Sequence, residues 1–131
     1  MSAGIRIARL DHFVLTVRDI EATCAFYTRV LGMEVLKFGA GRTALKFGRQ
    51  KINLHPAGNA IMLKAEHPMP GSADVCFIAD TPIAEVVERL QACGVGIVEG
   101  PSERAGAMGS ILSVYIRDPD ANLVEISNYL Q

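Results

Sequence analysis

Three short stretches of the chain carry the residues best suited to chemistry. Each alternates apolar and polar positions with the period of two expected of a half-buried strand, and each sets one titratable group on its polar side. In residues 10–17, Phe13, Leu15 and Val17 share one face, while Leu10, His12, Val14 and Thr16 share the other. In residues 74–79, Val75, Phe77 and Ala79 oppose Asp74, Cys76 and Ile78; in residues 123–127, Val124 and Ile126 oppose Leu123, Glu125 and Ser127. Gathering an imidazole and two carboxylates without compensation would cost several kcal/mol per buried charge. A divalent cation is the economical partner. Imidazole and carboxylate donors suit one divalent transition metal (Zn, Ni, Mn, Co or Fe(II)), and open coordination positions would accept water or substrate oxygens.

The elements that must position these groups repeat. Adding 62 to residues 10–17 gives residues 72–79, and the helical runs after both segments keep the same register. Asp19 is an expected N-cap before a helical run that stops at Gly32. Thr81 is the matching N-cap, with Pro82 at the first helical position and a stop at Gly94. Ile20, Cys24, Tyr27, Val30 and Leu31 make one apolar stripe; Ile83, Val86, Val87, Leu90 and Cys93 make the other. Each stripe should cover a sheet. Strands are expected at 34–38, 42–47 and 51–55 after the first helix, and at 96–99, 111–117 and 123–127 after the second. The last two are joined by the turn Asp118-Pro119-Asp120-Ala121-Asn122. The chain reads as α+β: two βαβββ modules, at about 7–55 and 72–129, joined by a Pro- and Gly-rich linker at 56–71 that carries a short strand near 61–63.

Composition limits the function classes. A chain of 131 residues with 50% hydrophobic and 21% charged residues can bury one core, so a single domain over 1–131 is expected. Thirteen Lys and Arg against fourteen Asp and Glu leave no basic field for nucleic acid. No signal sequence and no membrane-length apolar run is found, giving no membrane partner and a cytoplasmic expectation. Cys24, Cys76 and Cys93 lack paired spacing and are read as reduced, small core fillers.

Paired βαβββ modules of this size, opened by DHFVLTVRDIEATCAFYTRVLGMEV and closed by YIRDPDANLVEIS, resemble the vicinal oxygen chelate superfamily. That group includes glyoxalase I, thiol-transferring fosfomycin-resistance enzymes, methylmalonyl-CoA epimerase, bleomycin-binding proteins and extradiol dioxygenases. KINLH and GSADVCF look like its short single-chain glyoxalase-domain members. The resemblance implies a U-shaped, partly open barrel cleft, with metal ligands on the first and last strands of each module. These map to His12, Asp74, Glu125 and one position within 51–55. Aligning that strand with the last one at an offset of 72 gives Asn53; an offset of 70 gives His55. Chemistry favours His55, because neutral imidazole binds these metals better than an amide oxygen.

The implied activity is a metal-dependent glyoxalase-like enzyme, of lyase, isomerase or thiol-transfer type, that binds a small oxygenated substrate through two oxygens. The candidate base is Glu125 or Asp74, when off the metal, or a metal-bound hydroxide, and Tyr115 is a candidate proton donor to an oxyanion. Arg42, Lys46, Arg104 and Arg117 are available for a substrate anion; Arg104, in the segment PSERAGAMGS read as a mobile flap, is the preferred one, with Asn53 a further substrate contact. His67 is read as solvated. Two other readings stand beside this one: a metal-free binding protein that sequesters a small molecule, and an extradiol-type dioxygenase using His12, His55 and Glu125. A homodimer is expected, because each four-stranded half-barrel has an open edge.

Overall fold

The computed structural model describes residues 4–131. β1 (His12–Val17), α1 (Ile20–Leu31), β2 (Glu34–Phe38), β3 (Arg42–Phe47) and β4 (Gln50–Pro56) form the first module. β5 (Asp74–Ile78), α2 (Ile83–Ala92), β6 (Glu99–Gly106), β7 (Gly109–Arg117) and β8 (Leu123–Tyr129) form the second. The sheets have matching orders, β1-β4-β3-β2 and β5-β8-β7-β6, and stay separate rather than closing into a barrel. In each, the first strand pairs in parallel with the last, and the other pairs are antiparallel. The two βαβββ modules expected from the repeat are therefore present.

α1 starts where Asp19 accepts a hydrogen bond from the Ala22 amide at 3.0 Å, and it ends at Gly32, whose φ of 69° is the left-handed conformation favoured by glycine. Its apolar stripe covers Leu15, Val17, Leu45, Ile52 and Leu54, while α2 covers Val114, Ile116, Val124 and Ile126. Phe26 and Leu31 of α1 and Phe77 of β5 touch both clusters, and Phe77 meets Phe47 edge-on at 5.2 Å. The modules thus pack through their helix sides. The opposite face of each sheet, here called its open face, carries the polar residues.

The turn between β7 and β8 locks the modules together. Asp118, 6% exposed, accepts hydrogen bonds from the Asp120 and Asn122 amides, from the Asn122 side chain and from the Tyr27 hydroxyl at 2.7 Å. Asp120 accepts from the Arg18 amide, and Asn122 from the Ala73 amide. One buried carboxylate thereby ties α1 to the last hairpin, with charge-assisted bonds replacing the water it has lost.

Several expectations are corrected. The segment PSERAGAMGS is not a flap: most of it lies in β6 and in the turn to β7, against which Ser102, Glu103 and Arg104 pair in register. The strand expected at 96–99 begins only at Glu99. No strand forms near 61–63. Thr81 does not cap α2; the Ile83 amide donates instead to the Asn128 side chain at 2.7 Å, and the Asn128 amide group donates back to the Ala79 and Thr81 carbonyls. Cys76 is exposed on the open face of its sheet, so at that position the core-filler reading fails.

Candidate functional site

Glu125 stands in the middle of the open face of the second sheet. The β-ladder sets it between Cys76 of β5 and Tyr115 of β7, and the next inward row sets Ser127 between Ile78 and Ser113. Both serines are fully buried. Ser113 donates to Glu125 Oε2 at 2.6 Å and lies 2.6 Å from Ser127 Oγ; Ser127 in turn is 3.3 Å from the Cys76 sulfur. A carboxylate between two hydroxyls is held at a fixed angle. Partial desolvation of its sulfur pushes the Cys76 thiol upward, and nearby Glu125 adds to the effect. The Tyr115 hydroxyl is likewise raised, chiefly by burial and also by Glu125, so it remains a protonated phenol at neutral pH.

Arg104 stacks beside Tyr115, donates to its hydroxyl at 3.0 Å, and is ion-paired with Glu99. The preferred substrate-anion residue is thus already charge-balanced, and it acts on Tyr115. Glu125, Tyr115, Arg104, Cys76, Ile111 and Tyr129 line a depression of about 430 Å³. The sequence placed Cys76 and Ser127 on the faces of Asp74 and Glu125 but gave neither them nor Ser113 a part in the site. The signal was present, since folding 111–117 back on 123–127 puts Ser113 and Tyr115 on the Glu125 face.

The open face of the first sheet holds the other candidates. The His12 Nδ1 lies 2.8 Å from Asp11, and its side chain is 43% exposed. Asn53 and His55 are buried, and the Asn53 Oδ1 and His55 Nε2 have no hydrogen-bond partner among the described residues. Burial lowers the His55 pKa, with Arg42 and Lys64 reinforcing the shift. Arg42 and Lys51 both lie over the Phe38 ring, at 4.7 and 3.8 Å from its centroid. Lys46 donates to the Gly48 carbonyl, and Arg117 to that of Ala121. His67 is 85% exposed beside Glu66.

The ladders relate the two faces. β1 pairs with β4 so that His12 meets Lys51 and Val14 meets Asn53; β5 pairs with β8 so that Asp74 meets Leu123 and Cys76 meets Glu125. His12 and Asn53 therefore occupy the places that Asp74 and Glu125 occupy in the second module. This is the offset of 72. His55 falls at the place of Ser127, one inward position further along. Within one chain His12, Asp74 and Glu125 do not come together: among the described residues, no group of three or more His, Cys, Asp or Glu side chains is spaced to hold a metal ion. A single chain does not by itself fit a metal.

Residues 9–126 match the family model of the glyoxalase/bleomycin resistance protein/dioxygenase superfamily. The chain belongs to that superfamily. It is 56% identical over 124 residues to a virulence protein of Salmonella typhimurium, covering 95% of this chain and 86% of that one. An integron cassette protein from the mobile metagenome of V. cholerae superposes with a TM-score of 0.94 at 53% identity, covering 96% and 98% of the two chains. Lactoylglutathione lyase from Agrobacterium tumefaciens is more distant, with a TM-score of 0.71 at 28% identity, covering 93% and 94%. No helix among the described residues is long and apolar enough to cross a membrane.

Proposed function

We propose that this superfamily member is a glyoxalase-like enzyme acting on a small oxygenated substrate, and that its working unit is a homodimer. In that dimer the open face of the first sheet of one copy meets the open face of the second sheet of the other. The observation that carries the reading is the split donor set: His12 and Asn53 on one sheet, Asp74 and Glu125 at equivalent positions on the other, with His12, Asp74 and Glu125 not brought together in one chain. Across two copies the four side chains make one set. A divalent transition metal bound there would act as a Lewis acid toward two substrate oxygens.

The chain's own residues supply the rest. Glu125, aimed by Ser113 and Ser127, accepts or returns a proton. Tyr115, kept protonated by burial and by Glu125 and oriented by Arg104, donates to a developing oxyanion. The depression beside them would receive one side of the substrate. Such a site suits isomerisation, lyase or thiol-addition chemistry at a carbonyl or epoxide.

Elemental analysis and metal titration of the purified dimer test the reading. About one metal per site is expected, and His12→Ala and Glu125→Ala should each lower affinity by about 10–100-fold or more. Mixing the two variants and allowing subunits to exchange should regenerate one intact site in each mixed dimer. Unchanged metal affinity in both variants overturns the assignment, and failure of the mixture to recover any site overturns the shared-site arrangement.

A second reading, a metal-free protein that sequesters a small molecule, is favoured by one residue. Asn53 stands at the position equivalent to Glu125, and an amide oxygen is a weak donor for transition metals. Absence of metal uptake together with saturable binding of a small organic ligand would select it. The dioxygenase alternative draws its second imidazole from His55, one inward position beyond Asn53, and would require Fe(II) uptake that is lost in His55→Ala.

A further inference from the structure

A cavity of about 120 Å³ lies between the linker and edge strand β1, on the opposite module from Glu125. Val14, Leu63, Pro68 and Met69 give it apolar walls, while Thr16 and His55 supply polar ones. Two features of this lining ask for a ligand. His55 is 6% exposed, yet its Nε2 has no hydrogen-bond partner, a state that normally costs free energy unless water or a ligand completes it. Lys64 lines the cavity and Arg42 lies close enough to His55 to act on it electrostatically, and neither forms an ion pair among the described residues. Lys64 reaches only the Asn59 carbonyl, and Arg42 lies on Phe38.

We propose that this cavity is a binding site for a short-chain monocarboxylate, its carboxylate at His55 and Lys64 and its apolar chain against Val14, Leu63 and Met69. Size sets the chain length. An apolar cavity of about 150 Å³ holds a benzene ring, so this one takes about five non-hydrogen atoms, the size of propionate. The charge follows from the unpaired cations, since a carboxylate near an unpaired ammonium gains a charge-assisted hydrogen bond that a neutral amide lacks. The site uses none of His12, Asn53, Asp74 or Glu125, and its whole lining comes from one chain.

The test is a titration of chelator-treated, metal-free protein with propionate, following the side-chain nitrogen resonances of the three histidines by NMR. The His55 signals should shift and saturate with a Kd on the order of 1 mM, as suits so small a ligand, while those of His12, which does not line the cavity, stay in place. Lys64 is exposed, so Lys64→Gln should fold normally and weaken propionate about tenfold. Propanamide, the uncharged analogue, should bind more weakly and be indifferent to that substitution. His55 signals that stay fixed or drift without saturating, or a Lys64→Gln variant that binds propionate as the parent does, would overturn the proposal. Because metal is absent throughout, these results are independent of the outcome for Glu125.

Discussion

At the scale of single residues, buried hydroxyls orient charged groups in both halves of the molecule. Tyr27 is fully buried and its hydroxyl donates a hydrogen bond to Asp118; burial and the neighbouring carboxylate push its pKa far above the usual phenol range. Replacing it with Phe removes a hydrogen bond to a charged acceptor and leaves Asp118 one partner short. The expected cost is about 1.5–3 kcal/mol, measured by denaturant unfolding at neutral pH. The sign of the pH effect comes from linkage. Below about pH 10 the phenol is protonated in both states, so its contribution is complete; above that, the unfolded chain loses the proton while the folded one keeps it, and stability falls as pH rises. Tyr27→Phe should flatten that alkaline decline, and an unaltered slope would count against the assignment. Ser113 plays the corresponding part for Glu125. Ser113→Ala should leave the fold in place while weakening any metal bound through Glu125 by about 10–100-fold, the usual effect of removing a partner that orients a ligand; equal affinity in parent and variant would make the serine a packing residue only.

Elements were legible where their signals are local. Asp19 and Gly32 bound α1 as read, and the turn Asp118–Asn122 closes on its own side chains. What the chain hides is non-local. β6 opens with Glu-Gly-Pro-Ser, a composition poor in β-formers, and it becomes a strand because β7 pairs with it. Its Gly100, at φ 104°, lies so close to the Ser113 carbonyl that a Cβ would collide with backbone, and the register shifts between Glu99 and Ser102. Gly100→Ala should therefore destabilise the protein well beyond an ordinary strand substitution, seen as a lowered Tm. The cap of α2 is equally distant in sequence. Asn128→Ala removes the acceptor for the Ile83 amide and two donors to loop carbonyls, so about 1–2 kcal/mol is expected, whereas Thr81→Ala should cost a few tenths at most because its side chain caps nothing. Equal losses in the two variants would refute the long-range cap. The same limit left Asn53 and His55 unresolved: alternation assigns both to one face of β4, and only the parallel pairing with β1 aligns Asn53 with Glu125.

At the scale of the whole molecule, periodicity tells which face a residue occupies but not which faces meet. The open faces are unlike. The first sheet presents Arg42, Lys46 and Lys51 against one carboxylate, Glu34; the second presents Asp74, Glu99 and Glu125 against Arg104 and Arg117. Leu36 on one face and Ile78 on the other are 39% and 51% exposed, apolar groups that a second copy would cover. A charge placed among them should separate the copies and with them the shared site. Ile78→Lys puts that charge at a position already half in water, so the isolated fold should change by no more than about 0.5 kcal/mol. At an interface the same ammonium would lose its hydration without a designed partner, a cost of several kcal/mol. The variant should therefore keep its circular dichroism spectrum and Tm as a monomer, run at half the parent mass in light scattering, and lose metal affinity even though no donor residue has been touched. A parent that is already monomeric at micromolar concentration would leave His12 and Glu125 without a route to a common ion, and an Ile78→Lys dimer that still takes up metal like the parent would place the interface elsewhere.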